Sequence, residues 1–342
     1  MPPILFLILA TGLAMKIFNK HKLQINNSMA NCHNLFYRFN EEISITTSKR
    51  NRLIDSKEKL RERIRKYFKE NYPDYEPKFF IQGSYKMKTI IRTKDDICDL
   101  DDGVYFFREP DVTATTLQSW VYNAVNGYTS NPSQHRKKCI RTIFSADYEI
   151  DMPVYYKVDG SIYQIAIKNE GWRNDDPKAM VDWFKSKKGK EKYLLSAVKY
   201  LKAWCDNKRN AMPSGLSMTI LAANAKDKLV LGERDDINLT DVLKEIKKTL
   251  NKQFECIVPV APNDNLFADY DEKRRSNFLT ALDDFIMDAD AALKEDNQLK
   301  ASKLWRKHLG DRFPLGEDKS EDKNSNTKLI SGIGLSSPYG TL

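Results

Sequence analysis

Apolar side chains recur at three-to-four-residue spacing at Leu53, Leu60, Ile64 and Phe68, in a stretch otherwise crowded with charge. That period predicts one long amphipathic helix from Ile43 to Tyr72, ended by Pro73 and Pro77. Lys78 to Gln82 then reads as a short buried strand running into Gly83-Ser84, and Lys86 to Arg92 has the length of one or two helical turns. After a polar loop at Thr93 to Asp96 come a strand from Ile97 to Phe107, a helix from Leu117 to Val125, and strands at 141–144, 149–157 and 161–167. Past Gly171 the pattern is helical: Lys178 to Lys185, Glu191 to Asp206, Gly215 to Ala225, Leu239 to Phe254, Arg274 to Glu295 and Asn297 to His308. The fold class expected is α+β, a small mixed sheet flanked by helices over residues 29–190 and a helical domain over 191–316.

The two ends stand apart from this pattern. Residues 1–28 form an extension whose span Pro3 to Met15 is nearly all apolar, too short to cross a bilayer and without the basic region that precedes a secretory signal. An upstream start codon, a packed or frayed terminal segment and a membrane anchor all stay open for it, and no functional weight is placed on it. Residues 317–342 are charged and Ser/Asn-rich, then Gly- and Ser-containing without periodicity, and predict a flexible tail.

The 342 residues carry 56 Lys+Arg against 47 Asp+Glu, a net charge of +9 that favours polyanionic ligands without identifying one. Five cysteines lie far apart with no Cys-x-x-Cys, so neither a zinc site nor a disulfide framework is indicated and a reducing cytoplasm fits best. The four histidines have no paired spacing and read as surface or loop residues. There is no P-loop pattern and no Ser-His-Asp or Cys-His constellation.

Carboxylates change the picture. Asp99 and Asp101 stand two apart on a predicted strand, so their side chains share a face while Leu100 packs on the other. A neighbouring strand carries Asp151, and no Lys or Arg is expected between the three. Like charges a few ångströms apart repel strongly unless divalent cations, most simply Mg2+, neutralise them. Gly83-Ser84 sits where a strand turns into a helix, a place where free N–H groups can hold a phosphate, although such a pair is more often an ordinary cap.

Gly83-Ser84, Asp99-Leu100-Asp101 and Asp151 resemble the active-site pattern of polymerase-β-type nucleotidyltransferases. The longer string Gln82-Gly83-Ser84-Tyr85 with Asp99 to Tyr105, and the later Tyr200 to Trp204 and Met212 to Leu216, are similar to the bacterial cGAS/DncV-like nucleotidyltransferases over roughly Ile43 to Pro314. The resemblance implies a polymerase-β-like core with a C-terminal helical domain that condenses NTPs into a cyclic di- or oligonucleotide messenger, releasing pyrophosphate, in anti-phage signalling. It implies Asp99, Asp101 and Asp151 as catalytic metal ligands for two Mg2+ ions, with Mn2+ a substitute. It implies Ser84 and the Gly83 backbone on the donor triphosphate, Lys202 and Ser214 on the outer phosphates, and Gln82 near base or phosphate. The partners implied are NTPs (ATP, GTP or a pyrimidine NTP), a downstream effector reached through the product, and a regulatory or conjugating protein at the tail. Nucleic acid is not required, and no membrane association is expected.

Two other readings compete: a linear oligoadenylate synthase or RNA-directed transferase using the same site, and a nucleic-acid-binding protein whose basic face comprises Arg61, Arg63, Arg65, Lys66, Arg136, Lys137 and Lys138.

Overall fold

The computed structural model describes residues 30–145, 147–189 and 193–318. The extension at 1–28, the predicted helix start at Glu191 and the tail beyond 318 lie outside the described residues. The helix predicted from Ile43 to Tyr72 is present as α2 (Thr47–Asn71), and a separate helix, α1 (His33–Ile43), which was not predicted, precedes it. Thr46 separates them because its hydroxyl accepts from the Lys49 N–H and caps α2.

The chain then forms β1 (Lys78–Ile81), a single helical turn α3 (Gly83–Lys86) and β2 (Cys98–Phe106). The predicted turns at Lys86 to Arg92 are not helical, since the helix begins at Gly83 and ends at Lys86. Next come α4 (Ala114–Val125), β3 (Gln134–His135), β4 (Ile140–Phe144), β5 (Tyr148–Met152), β6 (Val154–Tyr156), β7 (Gln164–Ile167) and β8 (Gly171–Asn174). The predicted strand 149–157 breaks at Pro153, which has no N–H to give to the ladder. Helices α5 (Pro177–Lys188), α6 (Tyr193–Lys208), α7 (Gly215–Lys226), α8 (Asp235–Lys252), α9 (Glu272–Lys294) and α10 (Gln298–Leu309) complete the fold.

β2 is the axis of an eight-stranded mixed sheet, with β5 and then β6 parallel to it and β1 antiparallel. Its even-numbered residues Leu100, Val104 and Phe106 enter the core with Leu53, Leu60, Ile64 and Phe68 of α2 and Leu117 and Val121 of α4. Burying one such side chain is worth roughly 1.5–3 kcal/mol. Odd-numbered residues of β2 and β5 are thereby left on the opposite face, which carries Asp99, Asp101, Glu149 and Asp151.

The second core joins α6 to α10 with α1, whose Phe36 meets Tyr200, Trp305 and Phe313 at ring distances of 5.1, 4.9 and 4.9 Å. The described start of the chain therefore packs on the helical half. Its described end is anchored as well: the Glu317 N–H donates to Gln298 Oε1 at 3.1 Å, and Asp318 accepts from Asn297. His308, read from sequence as a surface or loop residue, is instead 3% exposed in α10. It stacks on Phe285 and bonds Asp288 at 2.8 Å.

Candidate functional site

The carboxylates come together by register. Asp101 pairs with Asp151 across the parallel β2–β5 ladder, and Asp99 pairs with Glu149 one row away. Side chains on paired residues point to the same face, so all four acids share one. β1 ends before reaching Asp99: the Gln82 N–H donates to the Asp101 carbonyl at 3.0 Å, and the chain turns away at Gly83 with φ +59°. That turn sets Gly83-Ser84 against the Asp101 carboxylate. Burial, then Asp99 and Asp151, push the Asp101 carboxyl up to about 7. A carboxylate under that pressure is one a cation would relieve, so the donor chemistry at Asp99 and Asp101 fits a divalent ion.

Asp151 has a partner that the sequence reading excluded. Arg141, directly opposite it on β4, forks onto both oxygens, Nε to Oδ1 at 2.7 Å and Nη2 to Oδ2 at 2.6 Å, and also bonds Glu149. Burial works against the guanidinium charge, but the bonds to Asp151 and the nearby Glu149 outweigh it and hold Arg141 above its ordinary value. Among the described residues no three His, Cys, Asp or Glu side chains stand in a metal-binding arrangement.

A cleft of about 550 Å³ opens over Asp99 and Asp101. Gln82, Gly83, Ser84 and Lys138 line it from the sheet, and Lys202, Asp206, Gly215 and Thr219 from α6 and α7. Asp175, Asp176 and Met180 close one side, and Val258, Pro262 and Asp264 a further one. Lys202 reaches the cleft because Leu201 and Trp204, at other angles of α6, are buried in the helical core. Its Nζ donates to the Thr89 carbonyl at 3.1 Å, and burial lowers the ammonium to about 8 against the pull of Asp99 and Asp101. A larger hollow of about 750 Å³ is lined by Arg65, Tyr75, Phe79 and Phe107 among others and by none of the predicted site residues.

The remaining predicted residues are placed differently. Ser214 caps α7, its hydroxyl accepting from the Ser217 N–H at 3.1 Å, and it is Gly215 beside it that lines the cleft. Gln82 is buried, its carbonyl oxygen accepting from Tyr105 at 2.6 Å and its amide donating to Tyr155 at 3.0 Å. Tyr155 in turn donates to Asp175 at 2.9 Å. Asp102, in the motif but on the even face, is 2% exposed and paired with Arg61 of α2 at 2.5 Å. Part of the proposed basic face is thus consumed internally, since Arg61 and Arg65 also lie over Phe79 and Arg63 lies over Tyr128. Sequence reasoning missed Arg141, Glu149 and Asp175. The alternation of β4 and β5 put Arg141 and Glu149 on some common face, but nothing local paired them with Asp151.

Residues 77–155 match the family model described as cyclic GMP-AMP synthase DncV-like, nucleotidyltransferase domain. A cyclic GMP-AMP synthase of Escherichia albertii is 31% identical over 199 residues, a match covering 52% of this chain and 44% of that relative, so less than half of the relative's length is spanned. Vibrio cholerae DncV in complex with the linear intermediate 5' pppA(3',5')pG superposes with a TM-score of 0.74 at 17% identity, covering 84% of this chain and 99% of the other. Escherichia coli DncV in its 3'-deoxy GTP bound form gives 0.71 at 18%, covering 80% and 93%. At such identities the structures establish a shared fold, a polymerase-β-like core with a helical C-terminal region. Residues 77–155 thus match a DncV-like nucleotidyltransferase domain, and the chain as a whole shares the DncV fold.

Proposed function

We propose that the chain is a divalent-metal-dependent nucleotidyltransferase that joins NTPs and closes them into a cyclic di- or oligonucleotide with release of pyrophosphate. The observation carrying this reading is the pair Asp99 and Asp101 lining a cleft whose opposite wall presents Lys202, with Asp151 in register beside Asp101 though not itself in the lining. Asp99, Asp101 and Asp151 are the residues that would hold the cations. When bound, these would neutralise the triphosphate and lower the pKa of the attacking ribose hydroxyl.

The chain's own groups do the rest. Ser84 and the Gly83 backbone border the floor where the donor triphosphate would lie, and the Lys202 ammonium, close to Asp99 and Asp101, supplies a counter-charge for phosphate. Gln82 positions Gly83-Ser84: both ends of its amide are used by buried tyrosines. In each round the hydroxyl oxygen forms a bond to the α-phosphorus, the bond from that phosphorus to the α–β bridging oxygen breaks so that pyrophosphate leaves, and the hydroxyl proton passes to water. Holding the two reactants in line accounts for about 7–11 kcal/mol of barrier.

The related synthases support cyclisation over the linear and RNA-directed alternatives. Purified protein incubated with NTP mixtures and Mg2+, with and without an RNA acceptor, tests the choice. A short product formed without RNA and resistant to phosphatase supports the reading. A phosphatase-sensitive ladder, or extension of the RNA alone, contradicts it.

A further inference from the structure

The Arg141 fork is more than a sheet contact. Asp101, Asp151 and Arg141 are paired residues on three successive strands, so one cation of the protein's own already stands in the row of carboxylates. Its exposure is low, 18% for the Arg141 side chain and 12% for Asp151, and both Asp151 oxygens are occupied. Glu149 holds the remaining arm of Arg141. With a guanidinium on both oxygens and no place in the cleft lining, Asp151 faces the row's own cation, and a metal ion approaching it meets that positive charge.

We infer that Arg141 is a latch on the third carboxylate: it stands in for a divalent cation at Asp151 and must be displaced from it when the metal site fills. The inference rests on the metal-dependent reading above. Arg141 is thus a positioning residue, acting through Asp151. Two physical consequences follow. Without metal, Arg141 offsets repulsion among Asp99, Asp101, Glu149 and Asp151, so the protein stays folded with its site empty. With metal, part of the binding energy goes into breaking the fork, so affinity is lower than four neighbouring acids would otherwise give. Glu149 offers the displaced guanidinium a place to remain.

The test is Mn2+ binding by titration calorimetry and electron paramagnetic resonance, without nucleotide, on the full chain and on Arg141→Gln, Asp151→Asn and the double variant. Melting with and without Mn2+ is followed alongside. Arg141→Gln is expected to bind Mn2+ at least about 10-fold more tightly, to melt lower than the parent in chelator and to gain more on adding Mn2+. In the Asp151→Asn background the same substitution is expected to leave Mn2+ affinity unchanged, because nothing is left to unlatch. Unchanged or weaker Mn2+ binding by Arg141→Gln overturns the latch, and so does a tightening of equal size in both backgrounds, which would be plain charge repulsion. If Arg141→Gln does not fold, Arg141→Lys, which keeps the charge but not the fork, is expected to tighten binding to a smaller extent, and no tightening overturns the idea. If the parent and Asp99→Ala/Asp101→Ala bind Mn2+ alike, the carboxylate site itself is wrong and the latch falls with it, a pattern distinct from failure of the latch alone.

Discussion

Asp101 leans into the space where a side chain at residue 83 would begin: a Cβ on Gly83 would fall 2.8 Å from Asp101 Cγ and nearer still to its Oδ2. The same glycine holds φ +59°, a left-handed conformation that L residues with side chains adopt only under strain. Gly83→Ala is therefore expected to cost about 1–3 kcal/mol of stability and to push Asp101 from its place. Turnover should fall at least about 100-fold, well beyond the loss of folded protein, because misplacing a reacting group by an ångström costs that much. Comparing pyrophosphate release with the melting curve separates the two effects.

Asp101→Asn should behave in opposite directions in two assays. Burial, Asp99 and Asp151 all disfavour its charge, so removing that charge is expected to raise the melting temperature in chelator. Pyrophosphate release should fall by orders of magnitude. A variant that loses stability in chelator would show that the carboxylate is satisfied by the protein itself.

The pair Arg61–Asp102 is structural. Asp102 is 2% exposed, and Arg61 supplies two bonds to it, at 2.8 and 2.5 Å. Arg61→Met leaves a buried unpaired carboxylate and is expected to cost about 3–5 kcal/mol. Adding Asp102→Asn should recover much of that in denaturant unfolding. Equal destabilisation of the single and double variants would refute the assignment.

Lys202→Met is expected to raise the KM for NTP about tenfold through loss of one charge-assisted contact, with a smaller change in kcat. Steady-state kinetics at saturating Mg2+ measure it, and an unchanged KM removes Lys202 from the phosphate reading.

The pH dependence of stability should carry the mark of His308. Burial lowers its folded pKa below 6.5, with Asp288 opposing only in part. The unfolded chain then binds more protons than the native one as pH falls, so stability drops as pH goes below about 6.5 and is retained above it. His308→Gln should flatten that drop between pH 7 and 5 in urea melts. The parent slope surviving in the variant would assign the effect elsewhere.

Much of the site was legible because a strand has a period of two residues: Asp99 and Asp101 flank Leu100, so their common face follows from the alternation alone. Their meeting with Asp151 was less certain, as it depends on which strands pair. What escaped was non-local in every case. Arg141 reaches Asp151 through a β4–β5 register that no local pattern encodes, and Gln82 is consumed by two tyrosines 23 and 73 residues away. The long helix read from the spacing of Leu53, Leu60, Ile64 and Phe68 is α2, which begins at Thr47 because Thr46 caps it. His308 looked polar in its local sequence, while its burial comes from the packing of α10 on α9.

The product formed in the cleft decides between cyclisation and its alternatives. Mass spectrometry of the product formed from mixed NTPs and Mg2+, compared with the product of Asp99→Ala/Asp101→Ala, tests this most directly. A species with one phosphate per nucleoside and no terminal phosphate, absent from the variant, is the expected result. A product that keeps its 5' triphosphate, or the same species formed by the variant, would contradict it.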